Sequence, residues 1–435
     1  MSQALPQQTL FTNARLLDPA TGTDEVGSLL IEGSRIVDFG AALFREGAPA
    51  LADVIDCHGN CLAPGLVDMR ASLGEPGDEH KETIETAASS AIAGGITSLA
   101  CLPNTRPPVD DVPALEFIAR RAREAKAVKI HSYACATRGA EGQKLTEMGL
   151  LAEAGAIGFT DGDRAIADSQ TMVRALQYAN SFDRVVVQHP EDPSLAGNGH
   201  MNNGELAFRL GLSGIPPEAE VILLERDLRL VAMTGAQYHA AHLSTGAAVD
   251  AVRTAKANGL PVTCDTAPAY FLMTETDVGN YRTFAKLSPP LRTEDDRLAV
   301  SAGLADGTID VIASDHRPED RDAKRVPFAQ ANPGMVGLET LLPLALLPYH
   351  RGEVGLLDTI GRLTSKPAEI LGLPSGRLVK DAAADLVLFD LDKPVKIDAT
   401  QFRSKSRNTP FDGLPVTGKV MMTVIDGRIV HHAAD

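Results

Sequence analysis

The sequence predicts an α/β protein: a (β/α)8 TIM barrel with a small β-sandwich domain made from both chain ends. Three observations carry this. Strand-like and helix-like segments alternate eight times through the middle of the chain, each terminus holds a hairpin signal, and the polar residues of the central strands gather at one end. Such alternation marks parallel strands joined by helical crossovers, and a barrel is its closed form.

The terminal strands come first. "SLLIEGSRIVDFG" (28–40) is two apolar-alternating runs about Glu32-Gly33-Ser34, and "VMMTVIDGRIVHH" (420–432) repeats the pattern about Asp426-Gly427. Short turns between alternating runs favour antiparallel hairpins. With "ADLVLFDLD" (384–392) as a further strand, residues 1–62 and 375–435 are expected to build one composite β-sandwich, with the barrel inserted as residues 63–374.

The barrel strands follow in order: "LAPGLVDM" (62–69), "ITSLACLP" (96–103), "VKIHSYA" (128–134), "AIGFTD" (156–161), "VVVQHP" (185–190), "QYHAAHLS" (237–244), "PVTCDTAP" (261–268) and "IDVIASDH" (309–316). Stretches such as "ETIETAASSAIAGG" and "VPALEFIARRAREAK" supply helices between them. The chain has 435 residues, 44% of them hydrophobic, enough for one large core and a smaller one.

Charge narrows the function. Lys and Arg total 41 against 57 Asp and Glu, a net charge of −16, which argues against nucleic acid or an anionic membrane as partner. No apolar run approaches the ~20 residues of a membrane helix, and "MSQALPQQTLFTNARLL" lacks the basic-then-apolar order of a secretory leader, so a cytoplasmic location is expected. Cys57 and Cys61 have a zinc-ribbon spacing, but no second pair follows, so they read as strand or turn cysteines.

The strand ends present Arg70 and Ser72, then Asn104, Asp161, His189, His242, Asp265, Asp315 and His316. A lone His there is ordinarily a hydrogen-bonded core residue, and a lone Asp a helix cap. Placed at the same end of several strands, however, His and carboxylate converge above the barrel, which is how a metal-dependent hydrolase is assembled.

In order along the chain, "PGLVDMRASLGEPGDEHKETIETAASSAIAGGIT", "LPNTRP", "GFTDG", "QHPED", "YHAAHLST", "SPPLRTEDDR", "DGTIDVIASDHRP", "GMVGLET" and "SRNTPFDG" resemble the dihydroorotases of the amidohydrolase superfamily. The resemblance runs from about residue 27 to 432 and implies a metal-dependent hydrolase of cyclic amides. It also implies ligand roles. Asp161, His189 and His242 correspond to one metal's ligands, and Asp315 to the general base that also binds the other metal. The family's His-x-His at the end of the first strand is Arg70 and Ser72 here. Its substrate-carboxylate donors, an Arg, an Asn and a His, fall on Gly74, Asn104 and Glu319, so only Asn104 is kept.

Three readings follow from that resemblance. The first is a catalytically impaired or inactive homologue, a pseudoenzyme of pyrimidine biosynthesis acting as a structural partner of aspartate transcarbamoylase, by analogy with inactive dihydroorotase-like subunits. The second is an active dihydroorotase or related cyclic-amide hydrolase with a single zinc ion at most, on Asp161, His189 and His242, and Asp315 as base. The third is a hydrolase of a carboxylate-free cyclic amide such as a hydantoin. Without zinc, Arg70 is expected to fill the cavity and pair with Asp161 or Asp315, since a guanidinium among carboxylates substitutes for a cation. Homo-oligomer formation is left open.

Overall fold

The computed structural model describes residues 8–44, 48–50 and 52–433. The reading of the N-terminus as leader-free rests partly on residues 1–7, which lie outside the described residues.

Both chain ends meet in one eight-stranded sheet. Its order is Arg428–His432, Pro415–Ile425, Leu386–Lys396, Cys61–Pro64, Gln8–Asp18, Thr23–Glu32 and Arg35–Gly40, with Ala52–Asp56 added parallel to Gln8–Asp18. Both hairpins close where the turn residues place them, at Glu32 opposite Arg35 and Ile425 opposite Arg428. The seam between the two ends is Cys61–Pro64, parallel to the first strand and antiparallel to Leu386–Lys396. Phe11, Leu16, Leu29, Leu62, Leu386 and Val424 form the apolar core behind it.

The strand read at 62–69 is two strands. Cys61–Pro64 stays in the terminal sheet, and the barrel begins with β1 (Leu66–Ala71). The break falls at Gly65, just after a proline that has no N–H to give a ladder. β2 (Ile96–Cys101) and β3 (Lys129–Ser132) continue in parallel from β1. A second run comprises β4 (Gly158–Phe159), β5 (Val185–Gln188), β6 (Tyr238–Ala240), β7 (Val262–Thr266) and β8 (Val311–Ile312).

Two bridges close the ring. Ala134 pairs with Phe159, and Ala71 pairs with His316, where Ser72 N–H donates to the His316 carbonyl at 2.8 Å. β4 and β8 are shorter than the sequence suggests. Beyond β8 the Ser314 N–H donates to the Asp68 carboxylate at 2.9 Å instead of to a neighbouring strand, so the ladder stops there. Met69, Ala100, Tyr133, Ile157, Val185 and Val311 belong to one buried cluster drawn from successive strands, so the barrel is packed rather than a pore.

Loop residues after the strands start helices in the usual way. Thr83 caps α1 (Ile84–Ala93), Asp111 caps α2 (Val112–Ala125) and Thr245 caps the helix Gly246–Ala257, each accepting from a first-turn N–H. These caps fix where each loop leaves the barrel, and so where its polar residues stand. Among the described residues, no helix is long and apolar enough to cross a membrane.

Candidate functional site

Arg70, near the end of β1, is the largest fully buried side chain, 1% exposed. Its Nε donates to Asp315 Oδ1 at 2.9 Å and its Nη2 to Asp163 Oδ1 at 3.3 Å, while Nη1 has no hydrogen-bond partner. Burial works against its charge, but Asp315, Asp163 and Asp265 outweigh that and raise its pKa above the ordinary value. A buried guanidinium is tolerated only when it is paired.

Asp315 joins Arg70 to the imidazoles. Its Oδ1 lies 3.3 Å from His242 Nδ1, and His242 Nε2 lies 2.7 Å from His189 Nδ1, the rings crossing edge-on. A carboxylate only accepts, so His242 is read with its proton on Nδ1 and Nε2 accepting from His189. His189 Nε2 then faces Glu191 at 3.6 Å. Burial and Arg70 hold His242 below its ordinary pKa. Burial pushes the Asp315 carboxyl up, but His242 and Arg70 win and hold it far below the usual carboxylate range. Both residues adopt left-handed backbone, φ 38° at His242 and 47° at Asp315, an uncommon conformation that concentrates at functional sites.

The arrangement departs from the sequence expectation at Asp161. Its carboxylate accepts from the Thr137 N–H at 2.9 Å and the Thr137 hydroxyl at 2.5 Å, and burial pushes its pKa up to about 6. So Asp161, His189 and His242 do not come together as a zinc set. The carboxylate is spent on Thr137 and the imidazoles on each other. Among the described residues, no three His, Cys, Asp or Glu stand where they could hold a metal ion. The side chains in place do not fit the metal that the resemblance implies.

The carboxylate that does reach the centre is Asp163, which sequence reasoning missed. It accepts from Arg70, from Asn104 Nδ2 at 2.8 Å and from Arg317 Nη1 at 3.0 Å. Burial opposes its charge, yet Arg317 and Arg70 hold its pKa below the ordinary value. Between the two aspartates, Gly162 turns the chain at φ 68°, and a Cβ there would lie 3.0 Å from the Asn104 side chain. Arg70 therefore pairs with Asp163 and Asp315 instead of Asp161. The only advance signal was a second carboxylate two residues on.

The remaining positions are structural or line the opening. Gly74 sits at φ 70°, with the Glu82 carbonyl oxygen 2.5 Å from where a Cβ would be. Glu319 is buried and neutralised by Lys81 Nζ at 3.1 Å, with Asn332 donating at 3.0 Å, so its charge is not presented bare. Asp265 accepts from the His242 N–H at 2.7 Å and contacts His239 Nε2 at 2.9 Å, bracing β6 against β7. His316 accepts from the Gly337 N–H and faces Glu82 at 3.5 Å. Ser72, Gly74, Asn104, Asp163, Arg317 and Glu319 are among the residues around a cavity of about 510 Å³ at the mouth. Cys57 and Cys61 are buried free thiols, both pushed up to about 12 by burial.

Chemically, the barrel end holds a fixed cation beside an ionised carboxylate and two imidazoles in contact. A guanidinium stabilises developing negative charge on a carbonyl oxygen, but it does not lower the pKa of a bound water as zinc does. A carboxylate held as low as Asp315 is a weak proton acceptor.

Comparison with known proteins bears on what this opening serves. The family profile described as Dihydro-orotase-like matches residues 59–248, and that of the Amidohydrolase family matches residues 346–431. A protein named dihydroorotase from Anaplasma phagocytophilum is 46% identical over 426 residues, covering 97% of this chain and 95% of that one. Another of that name, from Pelobacter propionicus, is 44% identical over 422 residues, covering 97% and 99%. Among solved structures, the L-hydantoinase (dihydropyrimidinase) from Arthrobacter aurescens superposes with a TM-score of 0.88 at 25% identity, covering 99% of this chain and 97% of that chain.

Proposed function

The chain belongs to the dihydroorotase family, and from that premise we propose that it serves pyrimidine biosynthesis on the dihydroorotate–N-carbamoyl-aspartate pair, as a catalytically impaired member. The single observation that carries the impairment is Arg70, whose guanidinium lies against Asp315 and Asp163 where the family keeps metal ligands.

A metal would supply an activated hydroxide. Arg70, buried behind the opening, supplies only charge and leaves the attacking water near its bulk pKa. The zinc reading, with Asp161, His189 and His242 as ligands, would need Asp161 to leave Thr137 and the two imidazoles to part.

A second reading, full dihydroorotase activity, is favoured by the relatives, which share that name at 44–46% identity over nearly the whole chain. The two are separated by one assay, interconversion of the pair by purified protein with added zinc and with chelator. The impaired reading expects a kcat well under the ~10 s⁻¹ typical of enzymes, unchanged by either addition. Fast turnover that needs zinc would establish the second reading instead.

A structural role with aspartate transcarbamoylase is an extension by analogy. A barrel kept without its metal would be useful through its surface, and stable assemblies bury ~1,200–2,000 Å² or more. Co-expression with the transcarbamoylase of the same organism, then size-exclusion chromatography with light scattering, tests it. Two separate peaks at micromolar concentration would end that proposal.

A further inference from the structure

We propose that Arg317 replaces the carboxylate anchors that this chain lacks, beside Asn104, the one donor that the family pattern keeps, and that Asp163 is a built-in carboxylate that occupies both until a small carboxylic acid displaces it. The inference deepens the proposed function and takes its ligand class from it, while its test reads binding and not turnover.

The geometry at Asp163 is that of a ligand. One oxygen, Oδ2, takes both the Asn104 amide at 2.8 Å and the Arg317 guanidinium at 3.0 Å, while Oδ1 faces Arg70. An amide and a guanidinium converging on one carboxylate oxygen are charge-assisted, directional donors suited to carboxylate recognition. The cleft reaches this point, since Asn104, Asp163, Arg164 and Arg317 all line the cavity of about 510 Å³. Arg317 is 30% exposed and Asp163 19%, against 1% for Arg70, so the outer pair can exchange partners while Arg70 stays fixed. Asn408 anchors the Arg317 backbone, its Nδ2 donating to the Arg317 carbonyl at 3.1 Å.

One further fact points the same way. In charge, Arg70 and Arg317 are balanced by Asp163 and Asp315, so the cluster as it stands is neutral and a poor anion trap. Neutralising Asp163 alone leaves it one positive charge in excess. Arg317 thereby stands in for the anchors that Gly74 and Glu319 no longer provide.

Calorimetric titration of the full chain with N-carbamoyl-L-aspartate and with the carboxylate-free 5,6-dihydrouracil tests this. Asp163→Asn is expected to tighten N-carbamoyl-L-aspartate at least tenfold. Arg317→Met, alone and combined with Asp163→Asn, is expected to weaken it at least tenfold, with Arg317→Lys in between, and dihydrouracil should follow none of these changes. Unchanged or weaker binding by a natively folded Asp163→Asn protein overturns the proposal, as does absence of binding in every variant. If Asp163→Asn fails to fold, the comparison of Arg317→Met with Arg317→Lys decides: equal affinities overturn it. Lack of turnover would count against the proposed function and leave these affinities untouched.

Discussion

Arg70 and Asp315, 245 residues apart in the chain, meet with Nε 2.9 Å from Oδ1 and so join the first barrel strand to the loop after the last. The contact is both a closure of the ring and a cation in its mouth.

Arg70→Met should therefore destabilise the fold heavily. It leaves Asp315 with the His242 contact and Asp163 with Asn104 and Arg317, and breaking a buried pair costs about 3–5 kcal/mol. Arg70→Lys should fall in between, because one ammonium cannot fork to both carboxylates. Urea unfolding at neutral pH measures this, and a loss below ~1 kcal/mol for the Met variant would contradict the pairing.

Far from the mouth, Asp227 gives a pH prediction. Burial pushes it from 3.8 up to about 7 against the pull of Arg226 and Tyr238. Between those values the native state binds a proton that the unfolded chain releases, so stability falls as pH rises through the window. The drop is on the order of 4 kcal/mol. Asp315 acts in the opposite sense. Its folded pKa is depressed, so its contribution is present above about pH 4 and lost below it, outside this window. Asp227→Asn should flatten the fall seen in urea melts between pH 4.5 and 8. An unchanged slope would assign the effect elsewhere.

Metal content follows from Asp161. With its carboxylate on Thr137, protein purified with excess zinc should carry well below one ion per chain, and His189→Ala should not lower it. Elemental analysis decides. One zinc per chain that disappears with His189→Ala would reinstate the set Asp161, His189 and His242.

Repair of the family pattern should fail for a steric reason as well as a chemical one. Gly74→Arg places a Cβ 2.5 Å from the Glu82 carbonyl oxygen at φ 70°, so it should cost ~1–3 kcal/mol or more. Joined to Arg70→His, Ser72→His and Glu319→His, it should not restore fast turnover. Soluble, stable protein with a high kcat from the fourfold variant would refute this.

Some of this was legible in the sequence and some was not, for reasons that lie in particular residues. His189, His242 and Asp315 each follow a short apolar run, so a shared strand end could be read from period and order. Asp161 and Asp163 could not be told apart. Which of them turns inward depends on donors at Thr137, 24 residues upstream, and on the φ of Gly162, neither of which leaves a pattern. Arg317 was missed because an arginine in a loop after a strand is ordinarily solvated. The split at Gly65 was hidden because two short apolar strands in succession look like one.

The seam strand Cys61–Pro64 carries a consequence for how the chain is made. Its partner Leu386–Lys396 leaves the ribosome about 320 residues later. At ~5–20 residues per second, that is roughly 16–64 s during which one edge of the N-terminal strands stays unpaired while the barrel is being synthesised. An apolar strand with an open edge is a template for another nascent chain. Translation speed and chaperone supply thus bear on the yield of this protein through its first sixty-four residues more than through its barrel.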